Sequence, residues 1–225
     1  LKSDAALISD TPMFKHGLPS IGYALRGLAY FQLDVTGSHD DLHSGSFGGA
    51  VINPNFALAQ IILSLKDAKG RILIPGFYDD VVPLTTQEKI EMSKLPFNEE
   101  KFCKDFGVPT LFGEQGYKTL ERIWARPTLE EVNGMSGGFI GEGSKTVIPA
   151  CAMAKISMRL VPNQDPKHVA KLFENYLQKI TPPSVKLKMK YLNGGKPWVT
   201  PIHHPTIQAA FRAFKKGYGT TPVFI

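Results

Sequence analysis

The sequence predicts an α+β fold of the ferredoxin-like β-α-β-β-α-β type. Three observations carry that prediction. Residues 28–36 alternate, with Phe31, Leu33 and Val35 opposed to Gln32, Asp34 and Thr36, the pattern of a strand with one buried face. Asn53-Pro54 and Asp165-Pro166 each set a capping side chain before a proline suited to the first helical position. Alternating runs at residues 150–161 and 185–191 flank the second of these helix starts.

Taken in order, the first helix is expected to run from Pro54 to Ala68, with an apolar stripe of Leu58, Ile61, Ile62 and Leu65 and a stop at Gly70. A second strand reads from about Leu129 to Met135. In the third, residues 150–161, Ala152, Ala154, Ile156, Met158 and Leu160 face one way and Lys155, Ser157 and Arg159 the other. The second helix carries Val169, Leu172, Phe173, Tyr176, Leu177 and Ile180 on one face. The fourth strand, Val185 to Tyr191, alternates apolar residues with Lys186, Lys188 and Lys190. This order is the split βαβ arrangement, a four-stranded sheet with both helices on one face and the other face open.

Residues 71–127 interrupt the pattern and read as an insertion packed against the main unit. Thr85 and Glu88 form a plausible capping box, and Asn98 can cap a short helix through Phe102 and Phe106. The two ends fall outside the repeat. Ala5 to Ile8 reads as a short buried strand ending at Ser9-Asp10. A third helix starts at Pro205, with Ile207, Ala210, Phe211 and Phe214 on one face, and Pro222 to Ile225 reads as a last strand. Buried-type strands at both ends suggest a second sheet that is mostly absent, and hence a piece of a larger protein.

The 225 residues are 43% hydrophobic, which fits a soluble globular protein, and no apolar run approaches membrane-spanning length. The start is neither a signal peptide nor an initiator methionine. Cys103 and Cys151 provide neither a paired-cysteine metal site nor a disulfide framework, which suits reduced thiols in the cytoplasm. The formal charge of +6 fits either an acidic partner or a solvated lysine face, and the spread of the lysines favours the face. The open sheet face lacks the aromatic pattern on which RNA-recognition modules stack bases, so no nucleic-acid partner is expected.

Five places could carry chemistry. His43, in Asp41-Leu42-His43-Ser44-Gly45, sits in a glycine-flanked turn between a strand and a helix, where exposed functional residues are common. Asp10 ends a hydrophobic run, either as an acid facing a crevice or as a cap for Thr11-Pro12. Thr146 lies in Gly143 to Pro149, a turn that could bind an anion or simply join two strands. Arg159 can grip a carboxylate bidentately or stand as a surface arginine. Asn193-Gly194-Gly195 allows close approach to a ligand or a flexible exit from the sheet. His203 and His204 are adjacent, poorly placed to share a metal, and His204 reads as a helix cap.

Together Ile8-Ser9-Asp10, Asp41 to Gly45 with Gly48-Gly49, Trp124 with Arg126-Pro127, Gly143 to Pro149, Ile156 to Pro162 and Gly194 to Val199 resemble the carnosinase-like, cytosolic-dipeptidase branch of the di-zinc metallopeptidase and aminoacylase family. The resemblance spans nearly the whole chain in the family's order. It implies a zinc-dependent dipeptidase with two zinc ions (manganese being an alternative), acting as a cytoplasmic homodimer on small peptides without a membrane partner. It also implies a lid, or dimerisation, domain at 21–198, with the insertion at 71–127 and catalytic-domain flanks at 1–20 and 199–225. Carried over residue by residue, Asp10 matches a zinc ligand. His43 matches a histidine that stabilises the oxyanion in the partner subunit's site. Thr146 and Arg159 match substrate-binding residues. A substrate-binding histidine of the family aligns with Asn193, which departs from the pattern. The family's His-x-Asp ligands and Glu-Glu pair would precede residue 1, and its last histidine ligand would follow residue 225. The chain alone is therefore expected to bind zinc weakly and to be inactive. The alternative is a stand-alone protein–protein dimerisation module without catalysis.

Overall fold

The computed structural model describes residues 2–8, 10 and 13–225. In chain order the first elements are β1 (Ser20–Ile21), β2 (Ala24–Leu25), β3 (Gly27–Thr36), β4 (Leu42–His43), α1 (Ser44–Phe47) and α2 (Pro54–Leu63). The insertion holds α3 (Thr86–Ser93), α4 (Glu99–Phe106) and α5 (Thr119–Trp124). Then come β5 (Thr128–Gly137), β6 (Val147–Ile148), β7 (Cys151–Leu160), α6 (Pro166–Ile180), β8 (Lys186–Gly195), β9 (Trp198–Val199), α7 (Pro205–Tyr218) and β10 (Val223–Phe224).

The large sheet has the order β5-β7-β3-β8 and is antiparallel throughout. Its four strands, numbered along the repeat, stand 2-3-1-4, which is the ferredoxin-like order, so the α+β expectation holds. The central pair runs in continuous register from Gly27↔Leu160 to Thr36↔Cys151. One face of that pair is buried: Ala29, Phe31, Leu33 and Val35 on β3, and Ala152, Ala154, Ile156, Met158 and Leu160 on β7. Helices α2 and α6 cover this face through Ala57, Leu58, Ile61, Val169, Phe173 and Leu177. Phe31 meets Phe173 edge-on at 5.0 Å and Tyr191 at 5.6 Å. Truncating Phe173 to alanine in such packing costs about 3–5 kcal/mol.

The expected caps are present. Asn53 accepts from Asn55 N, and Asp165 from Lys167 N and His168 N. Thr85 and Glu88 form a reciprocal capping box, and Asn98 accepts from Lys101 N. His204 caps α7. The insertion feeds the same core through Ile72, Ile74 and Phe77. Buried Gln164 fastens it there, accepting from Val161 N and donating to Phe77 O.

Three expectations are corrected. Helix α2 ends at Leu63, not at Ala68. Asp67 Oδ1 accepts from Lys69 N and Arg71 N, which offers the backbone a turn in place of another helical turn. Gly70 (φ +78°) is the tip of that turn, closed by the Lys66↔Ile72 bridge, and is not a helix stop. Ala5–Ile8 is neither a strand nor buried: Leu7 and Ile8 are 82% and 70% exposed. The run is too short to stay extended without a neighbouring strand. The C-terminal β10 pairs in parallel with β1 instead. Ser9, Thr11 and Pro12 lie outside the described residues. Finally, β8 continues to Gly195, so Asn193 and both glycines sit within the strand. Pairing with β3 persists past a bulge that leaves Leu192 without an opposite residue.

Candidate functional site

Leu42 and His43 pair with Ile148 and Val147 as β4 and β6, a small ladder beyond the end of the large sheet. This ladder brings together two residues 103 positions apart: His43 Nε2 lies 3.2 Å from Thr146 Oγ1, and both residues are exposed. Ser44 N donates to Thr146 O at 3.1 Å, so backbone as well as side chains hold the pair. His43 is also the N-cap of α1, its Nδ1 accepting from Gly45 N at 3.1 Å. Gly49, at φ +86°, lets the chain turn back after this single helical turn toward α2.

Asp41 Oδ1 accepts from Ala150 N at 2.9 Å, and its Oδ2 lies 3.9 Å from Lys145 Nζ. Asp41 therefore ties together the segments that precede β4 and follow β6. In the sequence Asp41 stands out only as part of the run from Asp41 to Gly45. Its role is invisible in sequence because its partner, a backbone N–H, carries no side-chain signature.

Arg159 and Asn193 form a second group. Both project on the open face of the sheet. Arg159 lies opposite Leu28 on one side and Thr128 on the other, and Asn193 lies opposite Tyr30. Arg159 is half-buried and Asn193 exposed. The two groups occupy opposite ends of the sheet. At about 3.3 Å per residue, the stretch of β7 from Cys151 to Arg159 spans about 26 Å.

Asp10 is exposed, and no group of three or more His, Cys, Asp or Glu side chains capable of holding a metal forms among the described residues. The described residues thus do not make a metal centre by themselves. Clefts of about 390 and 380 Å³ open against the insertion, around Glu114 and Arg126, and His43, Thr146, Arg159 and Asn193 line neither.

Arg126, from the Trp124-Ala125-Arg126-Pro127 motif, has a structural post. Its Nε and Nη2 each donate to Glu114 at 2.8 Å, and both side chains are about nine-tenths buried. Its guanidinium lies 4.2 Å from the Tyr117 ring centroid and 5.1 Å from that of Tyr78. Burial works against the Arg126 charge, but Glu114 outweighs it, so the guanidinium is held more firmly protonated than usual.

Two surfaces suit self-association. Strand β5 pairs only with β7 in the large sheet and leaves an open edge. Helix α2 lies alongside, Asn55 Nδ2 reaching Gly137 O at 3.5 Å. It turns Phe56 and Leu63, 71% and 77% exposed, outward on one face.

The peptidase dimerisation domain of M20 peptidases matches residues 23–185. The Cys-Gly metallodipeptidase dug1 of Schizosaccharomyces pombe is 34% identical over 227 residues, a stretch covering 100% of this chain and 48% of that protein. Among solved structures, the M20 family metallo-carboxypeptidase Sso-CP2 from Sulfolobus solfataricus superposes with a TM-score of 0.86 at 35% identity. That match covers 100% of this chain and 50% of the other. Human carnosine dipeptidase 1 superposes with a TM-score of 0.80 at 34% identity, over 92% of this chain and 45% of that one. The chain spans about half the length of the curated relatives it matches.

Proposed function

Because the chain belongs to the M20 peptidase dimerisation family, on its carnosinase-like branch, we propose that it is the lid of a metal-dependent dipeptidase that works as a cytoplasmic homodimer. Residues 21–198 are the lid, with 71–127 inserted in it, and residues 1–20 and 199–225 belong to the catalytic domain. Each lid lends its His43 and Thr146 to the partner's active site, while Arg159 and Asn193 serve the site of their own subunit.

The observation that carries this reading is the separation along the sheet. A dipeptide is about 7 Å long when extended, and about 26 Å of β7 lies between the two ends of the sheet near which the groups sit. One subunit cannot offer both ends of its sheet to one dipeptide. Two lids paired about a two-fold axis can.

The roles follow from the chemistry. Arg159 takes the substrate's terminal carboxylate with its planar fork of donors. Asn193 adds an uncharged amide beside it. Hydrolysis of an amide builds negative charge on the carbonyl oxygen, and an N–H from His43 aimed at that oxygen stabilises the transition state. The metal, zinc in this reading, supplies Lewis acidity and an activated water when bound. Asp10 is the ligand this chain would contribute, beside others supplied by the rest of the catalytic domain. The 225-residue chain with zinc and a dipeptide is accordingly expected to show no turnover.

The deciding experiment mixes two variants of the complete polypeptide. His43→Ala and Arg159→Ala each lose activity alone. An equal mixture allowed to exchange subunits regains about a quarter of the parent activity, because half the dimers are mixed and each mixed dimer keeps one intact site. No recovery on mixing overturns the shared-site reading.

A further inference from the structure

The imidazole of His43 lies over the backbone of Gly45. A Cβ built on Gly45 would come 2.9 Å from His43 Cε1 and 3.2 Å from Nδ1, closer than carbon atoms pack. The absence of a side chain therefore lets the ring approach. The Gly45 N–H uses that approach to donate to Nδ1 at 3.1 Å. A backbone N–H can only donate, so Nδ1 must offer a lone pair. One neutral tautomer does so, the one with its proton on Nε2. Nε2 is the atom that faces Thr146 Oγ1 at 3.2 Å. In this tautomer Nε2–H donates, the hydroxyl accepts, and Thr146 keeps its own O–H to donate outward.

We propose that Gly45 is a positioning residue that fixes which nitrogen of His43 carries the proton, so that a substrate oxygen taking the place of Thr146 Oγ1 meets the ring as an Nε2–H donor. The opposite tautomer would turn a lone pair toward the developing oxyanion and repel it. The spacing explains the His-x-Gly order. The N–H two positions after a capping residue is within reach of its side chain, and a glycine at that position lets the ring come closest. His204 has the same relation to Thr206, where a side chain is present, and its bond is longer at 3.4 Å. The catalytic meaning of the inference rests on the proposed oxyanion role of His43, but the tautomer itself does not.

The test is long-range proton–nitrogen NMR of the histidine rings in the chain, with His43 identified by the signals lost in His43→Gln. The neutral ring is expected to show a protonated Nε2 and a bare Nδ1. In Gly45→Ala the ratio of the two neutral tautomers falls about tenfold, the loss of one ordinary hydrogen bond. Thr146→Val keeps the Nε2–H form, since the backbone donor sets it. An Nδ1–H ring in the unaltered chain overturns the proposal, as does a ring no more biased than free histidine or a Gly45→Ala spectrum matching the parent's. If Gly45→Ala does not fold, the unaltered chain and Thr146→Val decide. Subunit mixing is independent. Recovery of activity without a tautomer bias sinks only this inference, and a bias without recovery sinks only the shared-site reading.

Discussion

Asp41 Oδ1 accepts the backbone N–H of Ala150 at 2.9 Å, across 109 residues of sequence. This bond ties the turn that carries His43 to the segment that carries Thr146, where each is about to enter or leave a strand. An exposed carboxylate that spends one oxygen on a backbone amide is holding geometry as well as carrying charge. Asp41→Ala is expected to speed hydrogen exchange at the Ala150 amide about tenfold, the worth of one such bond. Asp41→Asn keeps an acceptor in place and should leave that amide protected. Equal exchange in all three chains would show that the clamp contributes nothing in solution.

Glu114 and Arg126 make a different demand, because both are buried. Removing Glu114 strands the Arg126 charge away from water, which costs about 3–5 kcal/mol. Removing Arg126 still leaves Glu114 facing Arg71, whose Nη1 lies 3.6 Å from Glu114 Oε1. Glu114→Ala should lower stability by about 3–5 kcal/mol in denaturant unfolding, and Arg126→Ala by less, because Arg71 stays beside Glu114. The double variant should cost far less than the sum of the two, because no uncompensated charge remains. A fully additive double variant would mean that the pair is solvated in practice.

The topology was legible in the sequence because its signals are local. Alternation in residues 28–36 and 150–161, and the Asn-Pro and Asp-Pro helix starts, each state their element within a few residues. The end of α2 was not legible. The glycine at 70 looked like a stop, while the true stop depends on Asp67 capturing two amides and on Tyr176 O–H reaching back to Ser64 O from another helix. The N-terminal run misled for the converse reason, since its apolar residues have no neighbouring strand to pair with among the described residues. At the candidate site, residue types pointed to His43, Thr146 and Arg159. No sequence pattern could say that the first two touch while the third lies a sheet's length away. The Glu114–Arg126 pair was missed altogether, because a glutamate and an arginine twelve positions apart carry no periodic signal.

Helix α2 exposes Phe56 and Leu63 beside the unpaired edge of β5, and exposed apolar side chains of this size next to an open strand edge favour association. Phe56→Glu together with Leu63→Lys should leave the far-ultraviolet spectrum unchanged, because neither side chain belongs to the core. The same change should convert a dimer to a monomer in size-exclusion chromatography with light scattering. A parent chain that is already monomeric at high concentration would place the dimer contact elsewhere.

Two carboxylates make the stability of the fold depend on pH in acid. Asp165 is held below the ordinary carboxylate value of 3.8, first by the ion pair with Lys196 and then by the backbone N–H groups of His168 and Lys167. Asp34 is also held below it. Burial raises its value, but the hydrogen bonds from Lys190 and Gln32 prevail. In the window just below 3.8 the unfolded chain binds more protons at these two positions than the folded chain does, so stability there rises with pH. The contribution is complete above about pH 5 and fades as pH drops through the lower folded values. Thermal melts recorded between about pH 5 and about pH 2 should therefore fall more gently in Asp165→Asn than in the parent. The asparagine still caps α6, but it has no charge to lose. Because both groups are partly exposed, added salt should shrink the difference between the two chains. Parallel curves at low salt would mean that the Asp165–Lys196 pair is not formed in solution.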